Sequence, residues 1–275
     1  MAEESEFNGS DGTALYRRSW PVADARGHII LFHGYGEHSA RYDHVAAHFN
    51  SLGIAVWGYD HRYHGNSPGK RGTIASFDNL VKDAKAFVDL LDTELGDAPR
   101  IFMGHSMGGL VLAHLLTSTN CTACGAVFSS PFLDLKDVNP ILLALAGILS
   151  KICPGLPVED LPASSVSRIP EVVAAYDSDP LNNHSKITAR TGAELANAVN
   201  TIRPKLCDIT LPVYIIHGDA DALVPCSAST FLHEQSTARD KTLTLYPGAY
   251  HELMNDLDQD AVLEAMGIWV QSHLN

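Results

Sequence analysis

The sequence feature that most constrains the fold is a serine set among glycines where a strand pattern meets a helix pattern. Residues 104–109 read GHSMGG, with strand-like Arg100–Met103 before them and the breaker-free Leu110–Leu116 after them. A serine in this context is typical of a nucleophile elbow, a sharp turn from strand to helix. Such a turn strains the serine backbone and needs glycines where neighbouring backbone comes close. The hexapeptide therefore predicts that Ser106 is an accessible nucleophile.

Strand patterns alternate with helix patterns along most of the chain. Predicted strands cover Thr13–Trp20, His28–His33, Gly53–Asp60, Arg100–Met103, Gly125–Ser130, Val213–His217 and Thr242–Tyr246. Predicted helices cover Arg41–Ser51, Phe77–Leu95, Leu110–Leu116 and Ala261–His273. This alternation predicts an α/β fold with a mostly parallel central sheet flanked by helices.

The alternation stops between Pro131 and Leu211, where no strand pattern is visible. This region contains the uncharged apolar run Ile141–Leu149, several prolines, and helical stretches near Glu171–Tyr176 and Arg190–Thr201. We interpret residues 133–205 as a mostly helical cap, or lid, inserted into a core formed by residues 1–132 and 206–275. At 275 residues the chain is long enough for one large core of this kind.

Charge and composition exclude several classes of function. The chain carries 32 acidic and 19 basic residues, a net charge of −13, and it lacks a basic stripe. Such a protein binds nucleic acid poorly and is weakly attracted to anionic membranes by charge alone. No apolar run reaches the length of a membrane span, and the acidic N-terminus does not resemble a secretory signal. We therefore expect a cytoplasmic protein.

Cysteine usage agrees with a cytoplasmic location. Five cysteines are an odd number in a long chain and are more typical of reduced thiols than of a disulfide framework. Cys121 and Cys124 form a CxxC motif that could serve redox chemistry or bind a metal. No second pair or histidine cluster stands near it, so we expect no redox or metal role for this motif. The serine chemistry expected of Ser106 needs neither a metal nor an organic cofactor.

A serine nucleophile needs an imidazole base and a carboxylate that orients the imidazole. Two late strands each run into a loop with a suitable residue: Asp219 and Asp221 follow Val213–His217, and His251 follows Thr242–Tyr246. Active sites of α/β proteins lie where strands end in this way. The order serine, acid, histidine is typical of α/β-hydrolases.

Two acids compete for the middle position of this set. Asp219 directly follows Gly218 and could instead hold the turn through its side chain. We favour Asp221, which lies deeper in the loop, as the catalytic carboxylate. Among 14 histidines, His251 is distinguished by its glycine-containing loop, whereas His105, beside the serine, is expected to pack or form a hydrogen bond.

The tetrahedral intermediate of acyl transfer needs two fixed N–H donors, the oxyanion hole. One is expected from the backbone of Met107, the residue after the nucleophile. The other is expected from the loop His33–Gly36, where Tyr35 is the favoured donor and glycines allow close approach to the substrate. An ordinary glycine turn is the alternative interpretation of that loop.

Four segments together resemble the monoacylglycerol lipase family of α/β-hydrolases, which overlaps lysophospholipase-like sequences. They are HGYGEHSARY at 33–42, GHSMGG at 104–109, YDSDPL at 176–181 and YPGAYH at 246–251. The first and third are the more specific, since the elbow occurs in many serine hydrolases. The resemblance extends from about Asn8 almost to the C-terminus and includes the cap.

The resemblance implies an α/β-hydrolase fold, the triad Ser106, Asp221 and His251, and the oxyanion donors Tyr35 and Met107. It also implies that Glu37, Arg41 and Tyr176 form the polar end of the substrate pocket, where a glycerol head would lie. A structural salt bridge between Glu37 and Arg41, one helical turn apart, is the alternative for that pair.

The expected activity is hydrolysis of monoacylglycerol to fatty acid and glycerol through an acyl-enzyme on Ser106. A lysophospholipase or general carboxylesterase on the same scaffold is the alternative, and a non-catalytic binding protein with a hydrolase fold is the more distant one. The expected partner is a lipid ester.

The apolar run Ile141–Leu149 suggests contact with lipid. A charge-free helix above an active site can bury against lipid tails, lie in a membrane interface or line an acyl tunnel. Packing on the core is the alternative. We expect transient contact with a membrane surface through this part of the cap, and the sequence leaves the oligomeric state open.

Overall fold

A computed structural model describes residues 2–119, 121–136 and 140–274, and its centre is an eight-stranded sheet. The strands are β1 Glu3–Asn8, β2 Ala14–Trp20, β3 Gly27–Phe32, β4 Ile54–Tyr59, β5 Arg100–His105, β6 Gly125–Ser129, β9 Val213–Gly218 and β10 Lys241–Tyr246. Their order across the sheet is β1-β2-β4-β3-β5-β6-β9-β10. Within this sheet, β2 pairs in the antiparallel sense with its neighbours β1 and β4, and the other pairs are parallel.

Helices cover both faces of the sheet. They are α1 Asp43–Ser51, α2 Phe77–Leu95, α3 Met107–Ser118, α6 Ala189–Ile202, α7 Ser227–Gln235 and α8 Gln259–His273. Apolar residues of α2, α3, α6 and α7 form one core cluster, and residues of α1 and α8 form a second. Every residue of β3, β5, β6 and β9 is buried, as is usual for parallel strands covered on both faces. The predicted α/β fold is confirmed.

The N-terminal hairpin extends the sheet by one strand that the sequence did not indicate. Strand β1 pairs with β2, and of its six residues only Phe7 is buried. Charged, exposed residues at a sheet edge discourage pairing with another chain. The first strand predicted from the sequence is Thr13–Trp20, and no element is predicted before it.

The connection between β6 and β9 contains the predicted cap. Its described elements are α4 Pro140–Ile152, β7 Pro157–Glu159, α5 Pro170–Ser178, β8 Ile187–Thr188 and α6 Ala189–Ile202. Strands β7 and β8 form a small antiparallel pair that the sequence did not predict. The boundaries of the cap, residues 133–205, stay a prediction.

One face of α4 is turned toward solvent. Ile141, Leu145, Ile148 and Ile152 are 69%, 44%, 55% and 72% exposed, and their spacing places them on one side of the helix. Helix α4 contacts α6. Several other side chains of the run Ile141–Leu149 lie outside the part of the chain that the structure describes. The exposed face is therefore not accounted for by core packing.

Candidate active site

Ser106 lies in the turn between β5 and α3, in backbone that few side chains adopt. Its φ and ψ are +50° and −117°. A Cβ on Gly104 would lie 2.6 Å from the carbonyl oxygen of Gly108, and one on Gly108 would lie 2.0 Å from that of Phe32. The two glycines thus allow the turn to close, as expected for a nucleophile elbow.

The two later loops bring an acid and a histidine together. Asp221 Oδ2 lies 2.6 Å from His251 Nδ1, and the Asp221 side chain is completely buried. Asp219 instead accepts a hydrogen bond from the amide of Gly248 at 2.6 Å, in an exposed position. Of the two candidate acids, Asp221 is the one that the fold places against His251.

The contact between Asp221 and His251 governs the protonation of both. Burial lowers the pKa of His251, but the charge of Asp221 and the hydrogen bond to it outweigh burial and raise the pKa above its ordinary value. Burial raises the pKa of Asp221, but His251 and His217 together hold it well below its usual range. An ionised carboxylate that stabilises an imidazolium is what a serine triad requires.

Two further histidines frame this pair. His105 lies with its ring centre 4.8 Å from that of His251, and its Nδ1 lies 3.2 Å from Ser129 Oγ. Burial, with a contribution from His251, lowers the pKa of His105 to about 3, so it stays neutral near pH 7. His217 contacts Asp221 Oδ2 at 3.1 Å. Sequence reasoning missed His217, although its place at the end of β9, four residues before the acid, was a usable signal.

The expected oxyanion donors both line the cleft beside Ser106. Among the described residues, neither the amide of Tyr35 nor that of Met107 has a hydrogen-bond acceptor. Met107 is the first residue of α3, where helix amides have no carbonyl one turn earlier. His33 braces the loop: it lies 2.7 Å from the carbonyl of Gly34 and accepts the amide of His61 at 2.9 Å.

Glu37 and Arg41 belong to a buried ionic network. Arg41 donates to Glu37 at 2.8 Å and to both oxygens of Glu252 at 2.6 Å. Glu37 also accepts the amide of Gly34 at 2.6 Å and the hydroxyl of Tyr42 at 2.7 Å. The salt bridge considered as the alternative is therefore present, while Glu37 also lines the cleft. Glu252 was not identified from the sequence as part of this network.

Tyr176 closes the same end of the cleft from the cap. Its ring lies over the Arg41 guanidinium at 4.7 Å, and its hydroxyl donates to the carbonyl of Gly36 at 3.3 Å. The ring is within the range of a cation–π contact. Burial raises the pKa of Tyr176, so its hydroxyl remains protonated.

The cleft has an empty volume of about 670 Å³, part of it open to solvent. Its apolar wall is formed by Phe132, Leu161, Val166, Ile187, Leu195, Leu223 and Val224. Leu161 is also 39% exposed, so this part of the apolar wall reaches solvent. The arrangement places Ser106, His251 with its partner Asp221, and the polar network of Glu37 and Glu252 at an apolar cleft.

The described residues contain neither a metal-ligand cluster nor a helix suited to span a membrane. No group of three or more histidine, cysteine or acidic side chains among them is placed to hold a metal ion. No helix in the described part of the chain combines the length and apolarity needed to cross a bilayer. The five cysteines, all within the described ranges, form no disulfide.

Comparison with known proteins agrees with this geometry. A family described as "Serine aminopeptidase, S33" matches residues 23–258. A protein named monoacylglycerol lipase from Mycolicibacterium smegmatis is 38% identical over 273 residues, which is 98% of each chain. The monoglyceride lipase of Homo sapiens is 31% identical over 266 residues, covering 95% of this chain and 88% of that protein.

Solved structures extend the likeness to three dimensions. The crystal structure of Paleococcus ferrophilus monoacylglycerol lipase superposes with a TM-score of 0.84 at 33% identity. The alignment covers 94% of this chain and 99% of the other, so it takes in sheet and cap alike. The chain belongs to the serine aminopeptidase S33 family of α/β-hydrolases and, within it, to the monoacylglycerol lipases.

Proposed function

We propose that this protein hydrolyses monoacylglycerols to free fatty acid and glycerol, with Ser106, Asp221 and His251 as its catalytic triad. The observation that carries the proposal is the 2.6 Å contact between Asp221 and His251 beside a strained serine, at the polar end of an apolar cleft. An ester that joins an apolar chain to a small polyol matches the two ends of that cleft.

The proposed reaction passes through an acyl-enzyme. His251 accepts the proton of Ser106 as the serine oxygen attacks the ester carbonyl, and Asp221 holds the resulting imidazolium. The amides of Tyr35 and Met107 bind the oxyanion. His251 then returns its proton to the departing glycerol, and water releases the fatty acid by the reverse sequence of proton transfers.

The names of the relatives support this substrate class. The proteins from Mycolicibacterium smegmatis and Homo sapiens and the structure from Paleococcus ferrophilus are all named as lipases of monoacylglycerol or monoglyceride. Glu37, Arg41 and Tyr176 are the proposed glycerol-facing groups; Glu37 and Tyr176 line the cleft, whereas Arg41 does not line it and contacts both of them. Because Glu37 and Arg41 already bond to each other and to Glu252, we assign them to shaping this end as well as to binding.

The polar end argues against a free amino group as the main ligand. The family description names an aminopeptidase, and such an enzyme needs unpaired negative charge for the substrate ammonium. Here both carboxylates that line the cleft, Glu37 and Glu252, are paired with Arg41. An aminoacyl p-nitroanilide is therefore expected to be a poor substrate.

The decisive experiment compares wild type with Ser106→Ala on a monoacylglycerol. Losing a triad member lowers turnover by about ten-thousandfold or more in serine proteases. We expect a loss of that order, and no labelling of the variant by a fluorophosphonate probe. Equal hydrolysis by both proteins would refute the role of Ser106.

A head-group series separates the proposal from a lysophospholipase or general carboxylesterase. Wild type is expected to prefer the glycerol ester over lysophosphatidylcholine and over a p-nitrophenyl ester of the same chain length. A higher kcat/KM for lysophosphatidylcholine would replace the proposed substrate by a lysophospholipid. A higher value for the p-nitrophenyl ester alone, with no head-group preference, would indicate a general carboxylesterase.

The proposal includes transient contact with a lipid surface through the exposed face of α4, in a cytoplasmic protein. Burying one isoleucine side chain contributes roughly 1.5–3 kcal/mol. The double variant Ile148→Ser/Ile152→Ser is expected to sediment less with phosphatidylcholine vesicles than wild type. Ile268→Ser is the matched control, since this residue of α8 is 63% exposed and lies outside the cap. Equal loss in both variants would contradict a role of α4.

A further inference from the structure

Glu252, the residue after His251, is buried and charged but has no place in the triad. Its side chain is 5% exposed, and both carboxylate oxygens accept from Arg41 at 2.6 Å. The side-chain amide of Asn255 donates to the Glu252 carboxylate at 2.9 Å. The backbone amide of Glu252 donates to the carbonyl of Val166, in the predicted cap, at 2.9 Å. Burial raises the pKa of Glu252, but Arg41 outweighs burial and lowers it. The carboxylate is therefore charged near pH 7.

The contacts of Arg41 continue toward the oxyanion loop, residues 33–36. The same guanidinium donates to Glu37 at 2.8 Å, and Glu37 accepts the amide of Gly34 at 2.6 Å. A continuous chain of charge-assisted hydrogen bonds thus runs from Glu252 to the residue before Tyr35. Such bonds are short and directional, and a bidentate arginine pair fixes orientation as well as distance.

We propose that Glu252 is a positioning residue, which acts through Arg41 and Glu37 to hold the oxyanion loop in register with the His251 loop. The inference rests on the proposed function, since it concerns the same site. The two loops lie more than two hundred residues apart in sequence, and the base and the oxyanion donor must both meet one ester carbonyl. Donors act only within about 2.7–3.1 Å of the oxyanion, so a small shift of one loop is costly.

A second arginine–glutamate ion pair provides a control that distinguishes a positioning role of Glu252 from a general contribution to stability. Arg17 donates to both oxygens of Glu94 at 2.7 and 2.5 Å, the same bidentate arrangement. Glu94 lies near the C-terminal end of α2, which leads into the start of β5, while Ser106 follows the other end of that strand. Glu94→Gln therefore makes the same chemical change far from the cleft.

Glu252 also adds negative charge beside His251. The charged and titratable groups that act on His251 or its close neighbours are Asp221, His217, His105, Glu37, Arg41 and Glu252. Within this set Asp221 has the largest raising effect on the pKa of His251, and Glu252 and Glu37 raise it further. Replacing Glu252 by glutamine removes one negative charge, so the acid limb of the pH profile should move to lower pH.

The test measures kcat and KM of wild type, Glu252→Gln and Glu94→Gln on a monoacylglycerol and on a p-nitrophenyl ester. Misplacing a reacting group by about 1 Å can lower a rate by about a hundredfold. We expect kcat of Glu252→Gln to fall by roughly 10- to 100-fold on both esters, with KM within about twofold. Its affinity for a trifluoromethyl ketone, which forms a tetrahedral adduct with the serine, should fall in parallel. Glu94→Gln should match wild type in all three.

Arg41→Lys provides a second route if Glu252→Gln does not fold, because it keeps the charge and loses the bidentate fork. It should reproduce the fall in kcat and in ketone affinity. Unchanged kcat in the folded variant, or a rise in KM alone, would overturn the inference and make Glu252 a structural or substrate-binding group. If wild type cleaves the p-nitrophenyl ester but no monoacylglycerol, the proposed substrate is refuted. The role of Glu252 can then still be tested by comparing the variants on the p-nitrophenyl ester. Wild type inactive on both esters would refute the proposed function itself, and the inference with it.

Discussion

Replacing Asp221 by asparagine is expected to reverse the direction of the hydrogen bond between residue 221 and His251 Nδ1. Oδ1 of Asp221 accepts the amides of Leu223 at 2.8 Å and Val224 at 3.0 Å, so an asparagine oxygen would be held there. The new NH₂ group would then occupy the place of Oδ2, 2.6 Å from His251 Nδ1. That nitrogen would have to accept a hydrogen bond, which moves the imidazole proton to Nε2. An imidazole protonated on that side cannot take the proton of Ser106.

The expected size of the effect follows from this tautomer change. In serine proteases the equivalent aspartate-to-asparagine change lowers kcat by about ten-thousandfold. At about 1.36 kcal/mol for each factor of ten, the transition state would lose roughly 5 kcal/mol. KM is expected to change little, because the triad carboxylate is completely buried and does not line the cleft. Folding should persist, since the two backbone amides keep their acceptor.

The assay compares Asp221→Asn with Asp219→Asn, a matched change in the same loop. Asp219 is exposed and, within the described part of the chain, its side chain accepts the amide of Gly248 alone, a bond that asparagine can keep. We expect Asp219→Asn to hydrolyse monoacylglycerol and to react with a fluorophosphonate at nearly the wild-type rate. A folded Asp221→Asn protein within about tenfold of wild type, beside a strongly impaired Asp219→Asn, would refute the assignment.

Four further outcomes follow from the structure. At acidic pH, kcat/KM should rise with pH through a pKa above 6.5, the ordinary histidine value, because Asp221 raises the pKa of His251 and only neutral His251 can accept a proton. Rates measured across a pH series check this. Gly108→Ala should lower the melting temperature sharply or prevent folding, since its Cβ would lie 2.0 Å from a backbone oxygen. Gly147→Ala, whose Cβ meets nothing within 4 Å, should raise stability by up to about 1 kcal/mol in thermal unfolding. Asp83→Asn should destabilise the protein by about 3–5 kcal/mol in urea, because this completely buried carboxylate neutralises Arg62 at 2.6 Å.

The parts of the site that sequence reasoning identified all carry local signals. The elbow needs glycines at fixed offsets from Ser106, and the acid and the histidine follow recognisable late strands. Long amphipathic elements behave in the same way: α2 is observed at Phe77–Leu95, the predicted bounds. Where the local sequence pattern and the tertiary structure agree, the element could be predicted from the sequence alone.

The parts that were missed depend on contacts between distant residues. Glu252 acquires its partner from Arg41, 211 positions earlier, and no spacing rule links the two. The sequence favours Asp221 over Asp219, although only the folded loops show which carboxylate lies against His251. Strand β8 has only two residues and forms by pairing with β7, too short a segment for periodicity to be visible.

The placement of the cap between β6 and β9 has a consequence for how such a protein can diversify. The proposed triad and oxyanion groups lie in the sheet and its loops, whereas the predicted cap contributes Leu161, Val166, Ile187 and Leu195 to the wall of the cleft. Doubling the length of a flexible connection costs only about 0.6 kcal/mol, so the sheet can accommodate very different insertions at this point. We therefore expect acyl-chain selectivity and bond cleavage to depend on separate stretches of the sequence. Exchanging the segment between β6 and β9 with that of a relative should transfer the relative's acyl-chain selectivity and leave the hydrolytic activity in place.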